Sequence, residues 1–309
     1  MSDEQEIYDV ITIGAGPAAL TAAIYSSREN LNTLLIEKGV IGGLAAITDQ
    51  IDNYPGFADG VEGMKLAQQL RKQAERFGAK IELDEVKEIK NEADYKVVVG
   101  YSGEYKARAV LIATGSDYVK LGVPGEQELY GRGVHYCATC DGAFYNGKKL
   151  VTVGSGNSSA QESLFLTRFA DSVDVLIRGD RWKASDVLVK EIEDNDKINV
   201  HFNVSVKEVI AEEGKFKKIV GTNKEGKDID YDVDGAFVFI GLMPNTKFLD
   251  NSLVKLDEIG FIMTDEKLHT DYHGVFAAGD VRSGATMQIA SAAGEGATAA
   301  LHIREYLEG

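Results

Sequence analysis

Asp9-Val10-Ile11-Thr12-Ile13-Gly14-Ala15-Gly16-Pro17-Ala18-Ala19 is a short apolar run that ends in a glycine turn, and a stretch of helical character, 20–27, follows it directly. Strand, glycine turn and helix in that order make a dinucleotide-binding unit. Gly14 permits the tight turn, Gly16 lets the backbone approach a pyrophosphate, and Ala19 lets the helix pack closely on the strand, so the diphosphate meets the helix N-terminus. A second strand, 33–36, ends at Glu37, which lies 23 residues after Gly14, where a carboxylate accepts hydrogen bonds from a ribose. The pattern then returns. Residues 149–153 form an apolar strand, Gly154-Ser155-Gly156-Asn157-Ser158-Ser159 the turn, and 160–169 a helix. The fold class expected is therefore α/β, with two Rossmann-like dinucleotide-binding domains. The simplest use of two units is electron transfer between two dinucleotides. The alternative is that the second unit is a relic that binds nothing.

Just before the second turn lies Cys137-Ala138-Thr139-Cys140-Asp141, which holds the only two cysteines of 309 residues. Two intervening residues bring the sulfurs close enough to bridge with little rearrangement, and this spacing tends to lower a thiol pKa. A redox dithiol is the direct reading. Half of a zinc site is the alternative, but zinc takes about four ligands, no second CxxC exists, and the histidines at 135, 201, 269, 273 and 302 show no paired ligand spacing. Asp141 is either a proton-moving carboxylate or a turn former before Gly142. Late in the chain, 274–280 reads as a strand ending on Gly279-Asp280, where an aspartate can accept from a ribitol hydroxyl or simply make a turn. Residues 288–296, beginning Gln288-Ile289, open a helix of small residues that suits close packing under a flat ring system.

Thirty-three Lys and Arg against 49 Asp and Glu give a net charge of −16, which argues against nucleic-acid binding because phosphate contacts need a basic surface. No stretch approaches the ~18 uncharged apolar residues of a membrane span, and the acidic N-terminus lacks a signal-peptide pattern, so a cytoplasmic protein without a membrane partner is expected. No metal is expected. Two close cysteines in such a chain point to catalysis rather than a structural framework. Coarsely, 61–77 reads as an amphipathic helix, 80–99 and 105–112 as strands with turns at 91–92 and 102–103, and 198–209 and 229–240 as strands around a glycine-containing hairpin. Trp182, the sole tryptophan, either stacks on an adenine or covers the fold.

Together, the first turn with Glu37, the CATCD run, the second turn and the Gly-Asp strand resemble low-molecular-weight thioredoxin reductase, a dimeric flavoprotein family. Asn53-Tyr54-Pro55-Gly56-Phe57, 110–115 and 241–245 extend the resemblance over nearly the whole chain. It implies a discontinuous FAD-binding domain, 1–116 and 245–309, with Gly14, Gly16, Ala19, Glu37, Gly42, Gly43, Asn53, Gly279, Asp280, Gln288 and Ile289 on FAD. An NAD(P)H-binding-like domain, 118–243, is inserted into it, carries the CxxC, and places Gly154, Gly156, Ser159, Arg178 and Lys183 on NADPH. It further implies that Cys140 lies next to the flavin, that Cys137 attacks the disulfide of thioredoxin or a relative, and that Asp141 moves protons. A homodimer and rotation of the inserted domain about glycine linkers near 115–116 and 241–244 complete the expectation.

The chain departs from the family pattern at the second nucleotide site. A His-Arg-Arg cluster with a further arginine is replaced by Ile177-Arg178-Gly179-Asp180-Arg181-Trp182-Lys183, and Ile177 occupies the position that corresponds to Glu37. A lysine is a point charge and does not reproduce a bidentate arginine contact. Ser159 replaces an alanine, Leu44 a glutamine and Met287 an arginine. The electron donor is thus open between NADPH, NADH and ferredoxin, although a chain this acidic repels an acidic ferredoxin unless it carries a basic patch. A non-enzymatic redox-sensing flavoprotein is the alternative from another class.

Overall fold

The computed structural model describes residues 6–48, 50–92, 94–249 and 254–309. The chain divides into two compact units, residues 1–117 with 243–309, and residues 118–242. The second is thus inserted into the first.

In the first unit, Ile7–Ile13 is the central strand of a sheet ordered Lys80–Leu83, Thr33–Glu37, Ile7–Ile13, Glu104–Ile112, Lys96–Gly100, Val86–Asn91. The first four strands run parallel, and the last two return antiparallel. Glu104–Ile112 carries two partners on one side, with its first half paired to Lys96–Gly100 and its second half to Val275–Ala277. That last pairing returns the C-terminal segment to the first unit. The central strands Ile7–Ile13 and Thr33–Glu37 are covered on both faces and are buried almost throughout rather than alternating, whereas the outer strands Lys80–Leu83 and Val86–Asn91 are largely exposed. One face packs Leu35, Leu111 and Phe276 against Ala19, Leu20 and Ala23 of the helix Pro17–Arg28 and Ile303 of the helix Ile289–Glu308. The other buries Ile11, Ile13, Leu34, Ile36 and Val110 with Leu249, Val254 and Ile262. Truncating any of these fully buried leucines to alanine costs about 2–5 kcal/mol. The two helices approach closely because small residues line the contact, and a Cβ on Gly296 would clash with the backbone carbonyl of Ala18.

The expected strand 80–99 is three strands, Lys80–Leu83, Val86–Asn91 and Lys96–Gly100. The first break has a local cause, since the Asp84 carboxylate accepts from the backbone N–H groups of Glu85, Tyr101 and Ser102 and fixes a loop there. The expected helix 61–77 spans Gly63–Arg76.

The second unit has a five-stranded parallel sheet ordered Ile198–Phe202, Ser172–Ile177, Lys149–Val153, Gly235–Val238, Val134–His135. A separate antiparallel sheet contains Ser205–Glu212, Lys215–Thr222 and Asp228–Tyr231. The expected strands 198–209 and 229–240 are each divided between the two sheets. Asn203 makes the first change of sheet in a left-handed conformation at φ 59°, which asparagine tolerates better than most residues. Residues 232–234 make the second. Trp182, like Phe239 and Ile198, packs against a core that includes Leu150, Leu166, Val175 and Phe237. The two crossings between units, Ser116–Tyr118 and Leu242–Pro244, pair as a two-stranded ribbon. Gly115 and Gly241, at φ 66° and 129°, adopt positive φ where other residues are strained.

Candidate active site

Cys137 and Cys140 form a disulfide with Cα atoms 5.3 Å apart. Cys137 caps the short helix Ala138–Asp141, and the backbone N–H of Cys140 donates to its Sγ at 3.2 Å. A donor aimed at that sulfur favours negative charge on it once the bond is reduced. Both cysteines are half-buried.

Asp141 closes the same helical turn, its N–H bonded to the Cys137 carbonyl at 3.1 Å. Its carboxylate Oδ2 lies 3.2 Å from His135 Nδ1, with the side chains 19% and 5% exposed respectively. His135 Nε2 lies 2.7 Å from the Tyr145 hydroxyl. Burial, then the negative charges of Asp141 and Asp234, raise the Tyr145 pKa above its ordinary value, so the phenol keeps its proton. His135 and Tyr145 are the site residues that sequence reasoning passed over. The sequence offers His135 only as an unpaired metal-ligand candidate, and its one local signal is its position two residues before the CxxC. Among the described residues no group of three or more His, Cys, Asp or Glu could hold a metal.

In the first unit, Gly14 sits at φ 101° with its N–H on the Ile36 carbonyl, and a Cβ there would lie 2.5 Å from the Ala113 carbonyl oxygen. Gly16 caps the helix Pro17–Arg28, and a Cβ there would meet no protein atom within 4 Å. Ala19 is fully buried. Glu37 holds the turn, with Oε2 accepting from Ala15 N at 2.7 Å and Oε1 from Gly39 N at 2.7 Å. Gly42 and Gly43 have positive φ, and the Gly42 N–H reaches the Ala15 carbonyl, bringing this segment beside the turn. Leu44 lies in the helix Gly43–Ala46.

The C-terminal residues of the same unit form a second group. Asn53 donates to the Gln288 side chain at 3.1 Å. Gln288 caps the helix Ile289–Glu308, Ile289 packs beside Ile51 and Val61, and Met287 before them holds φ 56°. The Gly279 N–H donates to Glu295, which is clamped by Arg282 at 2.6 and 2.9 Å. Asp280 is half-buried, and burial, then the charge of Glu295, push its pKa up to about 6.

In the second unit, Gly154 donates to the Leu176 carbonyl, and Gly156 caps the helix Asn157–Leu166 with open space where a Cβ would project. Ser159 is fully buried and its hydroxyl has no hydrogen-bond partner. Ile177 is buried in the core, whereas Arg178, Asp180, Arg181 and Lys183 are exposed. The Lys183 N–H donates to the Ser155 carbonyl at 2.8 Å, which folds this basic loop back onto the glycine turn.

A sequence profile for the family described as pyridine nucleotide-disulphide oxidoreductase matches residues 8–296. The chain is 45% identical over 306 residues to a thioredoxin reductase of Bacillus subtilis (strain 168), covering 99% of this chain and 96% of that one. The chain belongs to the thioredoxin reductases. A second such relative, from Listeria innocua, is 44% identical over all of this chain and 96% of its own length. Among solved structures, thioredoxin reductase from Streptococcus pyogenes MGAS5005 aligns with a TM-score of 0.94 at 39% identity, covering 98% of each chain. The protein is accordingly an oxidoreductase of the pyridine nucleotide-disulphide type, and its Cys137–Cys140 disulfide fits the redox-active pair of such an enzyme. No helix among the described residues is long and apolar enough to cross a membrane.

Proposed function

We propose that the protein reduces the disulfide of thioredoxin or a thioredoxin-like protein, with FAD held by the first unit and electrons drawn from NADPH at the second. The observation that carries this reading is the half-buried Cys137–Cys140 disulfide on a unit that also holds a dinucleotide turn. Its Cys140 N–H aimed at Cys137 Sγ supports Cys137 as the sulfur that attacks the partner. Cys140 is then the resolving sulfur, and Asp141 the carboxyl that gives it a proton and takes one back.

The residues present fit a flavin dinucleotide. Gly16 has no protein neighbour where its side chain would be, so the space lies free for phosphate at a helix N-terminus. Glu37 accepts one backbone donor on each oxygen and retains lone pairs for ribose hydroxyls. Asp280 accepts no hydrogen bond from a protein donor among the described residues and faces Glu295, which leaves it suited to accept from a ribitol hydroxyl. Gly42, Gly43, Asn53, Gln288 and Ile289 would complete that side. When bound, FAD supplies hydride acceptance and returns the electron pair to a disulfide. The protein's part is to orient that group, to present Cys140 as its electron acceptor and to supply protons through Asp141. Gly154, Gly156 and Ser159 would seat the second diphosphate, with Arg178 and Lys183 on a 2′-phosphate. A cytoplasmic homodimer belongs to the same proposal.

A second reading keeps flavin and dithiol but takes electrons from ferredoxin. It is favoured by the run 178–183, where Asp180 interrupts the basic residues. Anaerobic mixing with NADPH, and separately NADH, while flavin absorbance is followed decides between them. Rapid bleaching by NADPH is expected. Bleaching by neither nucleotide, with turnover restored by reduced ferredoxin, overturns the NADPH assignment. Absence of disulfide turnover with every donor overturns the enzyme reading and leaves a redox sensor.

A further inference from the structure

Tyr145, His135 and Asp141 lie in a line of close polar contacts that ends beside the dithiol, and the proposed chemistry above uses only its last member. The His135 ring is buried, stacked on Phe237 with centroids 5.0 Å apart and edge-on to Tyr145 at 5.3 Å. Both ring nitrogens are engaged, Nδ1 at 3.2 Å from Asp141 Oδ2 and Nε2 at 2.7 Å from the Tyr145 hydroxyl. Tyr145 keeps its proton, because burial, then Asp141 and Asp234, raise its pKa. With the ring proton on Nδ1, facing the carboxylate, the Tyr145 hydroxyl donates to Nε2. The partner at one nitrogen thus sets the tautomer that serves the other. His135 Nδ1 is the nitrogen within ion-pair distance of the Asp141 carboxyl.

We propose that His135 is a positioning residue for the reaction, fixing the Asp141 carboxyl for proton exchange with the Cys140 sulfur, and that Tyr145 fixes His135. This rests on reading Cys137 and Cys140 as an exchange-active dithiol. Reduction of their disulfide takes two electrons and two protons, breaks the S–S bond and gives two thiols. In the reverse sense, the Cys137 thiolate attacks the partner disulfide to form a mixed disulfide, and one partner sulfur leaves as thiolate. Cys140 then loses its proton to Asp141 and attacks Cys137, closing the protein disulfide as the second partner sulfur leaves. The partner's two thiolates take up the two protons that the dithiol gave up. A carboxyl swung away from Cys140 would slow the resolving step without changing how the partner binds.

The test needs no flavin turnover. Wild-type protein, H135F, H135N, Y145F, D141N and the double variant H135F/D141N are reduced with dithiothreitol and desalted. Each is then mixed in single turnover with an aromatic disulfide that releases a coloured thiolate. H135F fills the ring space without a donor, whereas H135N keeps an amide N–H near the Nδ1 position. D141N is expected to slow release of the second thiolate about a hundredfold and H135F about tenfold, within the range of general acid–base effects. H135N should return to within about threefold of wild type, Y145F should slow the step less than H135F, and the double variant should be no slower than D141N. In steady-state reductase assays, kcat should fall in H135F with KM for the protein disulfide unchanged. H135F exchanging as fast as wild type, H135N as slow as H135F, or H135F and D141N losses that multiply would each overturn the proposal. If wild-type protein exchanges thiols but turns over no disulfide with any donor, the reductase reading fails while the role of His135 is still decided by the exchange rates.

Discussion

Replacing Asp280 with Asn should stabilise the flavin-free protein and weaken its hold on FAD, two effects of opposite sign from one carboxylate. In the folded chain, burial and then Glu295 push the Asp280 pKa from 3.8 to about 6. Glu295 is itself clamped by Arg282, so the larger cause is loss of water around the Asp280 oxygens. A raised acid pKa means that folding takes up a proton between the two values, so wild-type stability falls as pH rises from 3.8 through about 6. A shift of about two pKa units amounts to about 3 kcal/mol at pH 8, taking 1.36 kcal/mol for each. The advantage of D280N should shrink to about 2 kcal/mol at pH 5.5 and vanish below the unfolded value. Urea unfolding of flavin-stripped protein at several pH values reads this difference directly. FAD affinity, from fluorescence quenching on reconstitution, should drop about tenfold or more, because a charge-assisted hydrogen bond is worth about 1.5–3 kcal/mol. A variant no more stable than wild type at pH 8, or an advantage that does not change with pH, would refute the reasoning.

Ser159→Ala removes a buried hydroxyl that has no partner. It should raise unfolding stability by about 1 kcal/mol, seen as a higher denaturation midpoint of the second unit. Gly14→Ala places a Cβ 2.5 Å from the Ala113 carbonyl at φ 101°. It should cost on the order of 3 kcal/mol or more and yield protein that purifies without flavin, checked by unfolding and by the visible spectrum. Arg178→Ala should raise the dissociation constant for NADPH about tenfold while leaving that for NADH unchanged, as measured by titration against flavin reduction.

The parts of this protein that could be read from the sequence are those where backbone geometry dictates the residue. Gly14 and Gly154 must be glycine because each turn runs against a neighbouring backbone carbonyl, that of Ala113 in one case and of Phe239 in the other. Their spacing from the following strand then fixes the unit. The dithiol was equally plain, since two cysteines at that spacing pair with Cα atoms 5.3 Å apart. The rest depends on contacts that the sequence does not order. The helix Asp186–Glu193 has eight residues with only Ile192 buried, too narrow a stripe for its period to stand out. Residues 198–209 read as one strand because nothing local marks the change of sheet except Asn203. His135 looked like an isolated histidine because its partners lie six and ten positions along the chain, Asp141 across the dithiol turn and Tyr145 beyond it.

The two glycine turns share one backbone plan but differ at one register position. Gly14 donates to the carbonyl of Ile36 and Gly154 to that of Leu176, and the strands beside them pair as Ile13 with Ile36 and Val153 with Leu176. The next residues, Glu37 and Ile177, therefore occupy the same position. Glu37 stands half-buried with a backbone N–H on each oxygen, and under the proposed function it meets a ribose diol. Ile177 is fully buried in the core of its unit, and a carboxylate there would be taken out of water without a partner. The first solvent-facing residue after that strand is Arg178, and the loop it begins returns to the turn through Lys183. Exposed cations at the strand end suit a phosphate monoester, where a carboxylate would suit unmodified hydroxyls. The difference at this one register position gives the physical ground for placing NADPH ahead of NADH at the second unit, and it makes the nucleotide preference of Arg178→Ala the sharpest test of that placement.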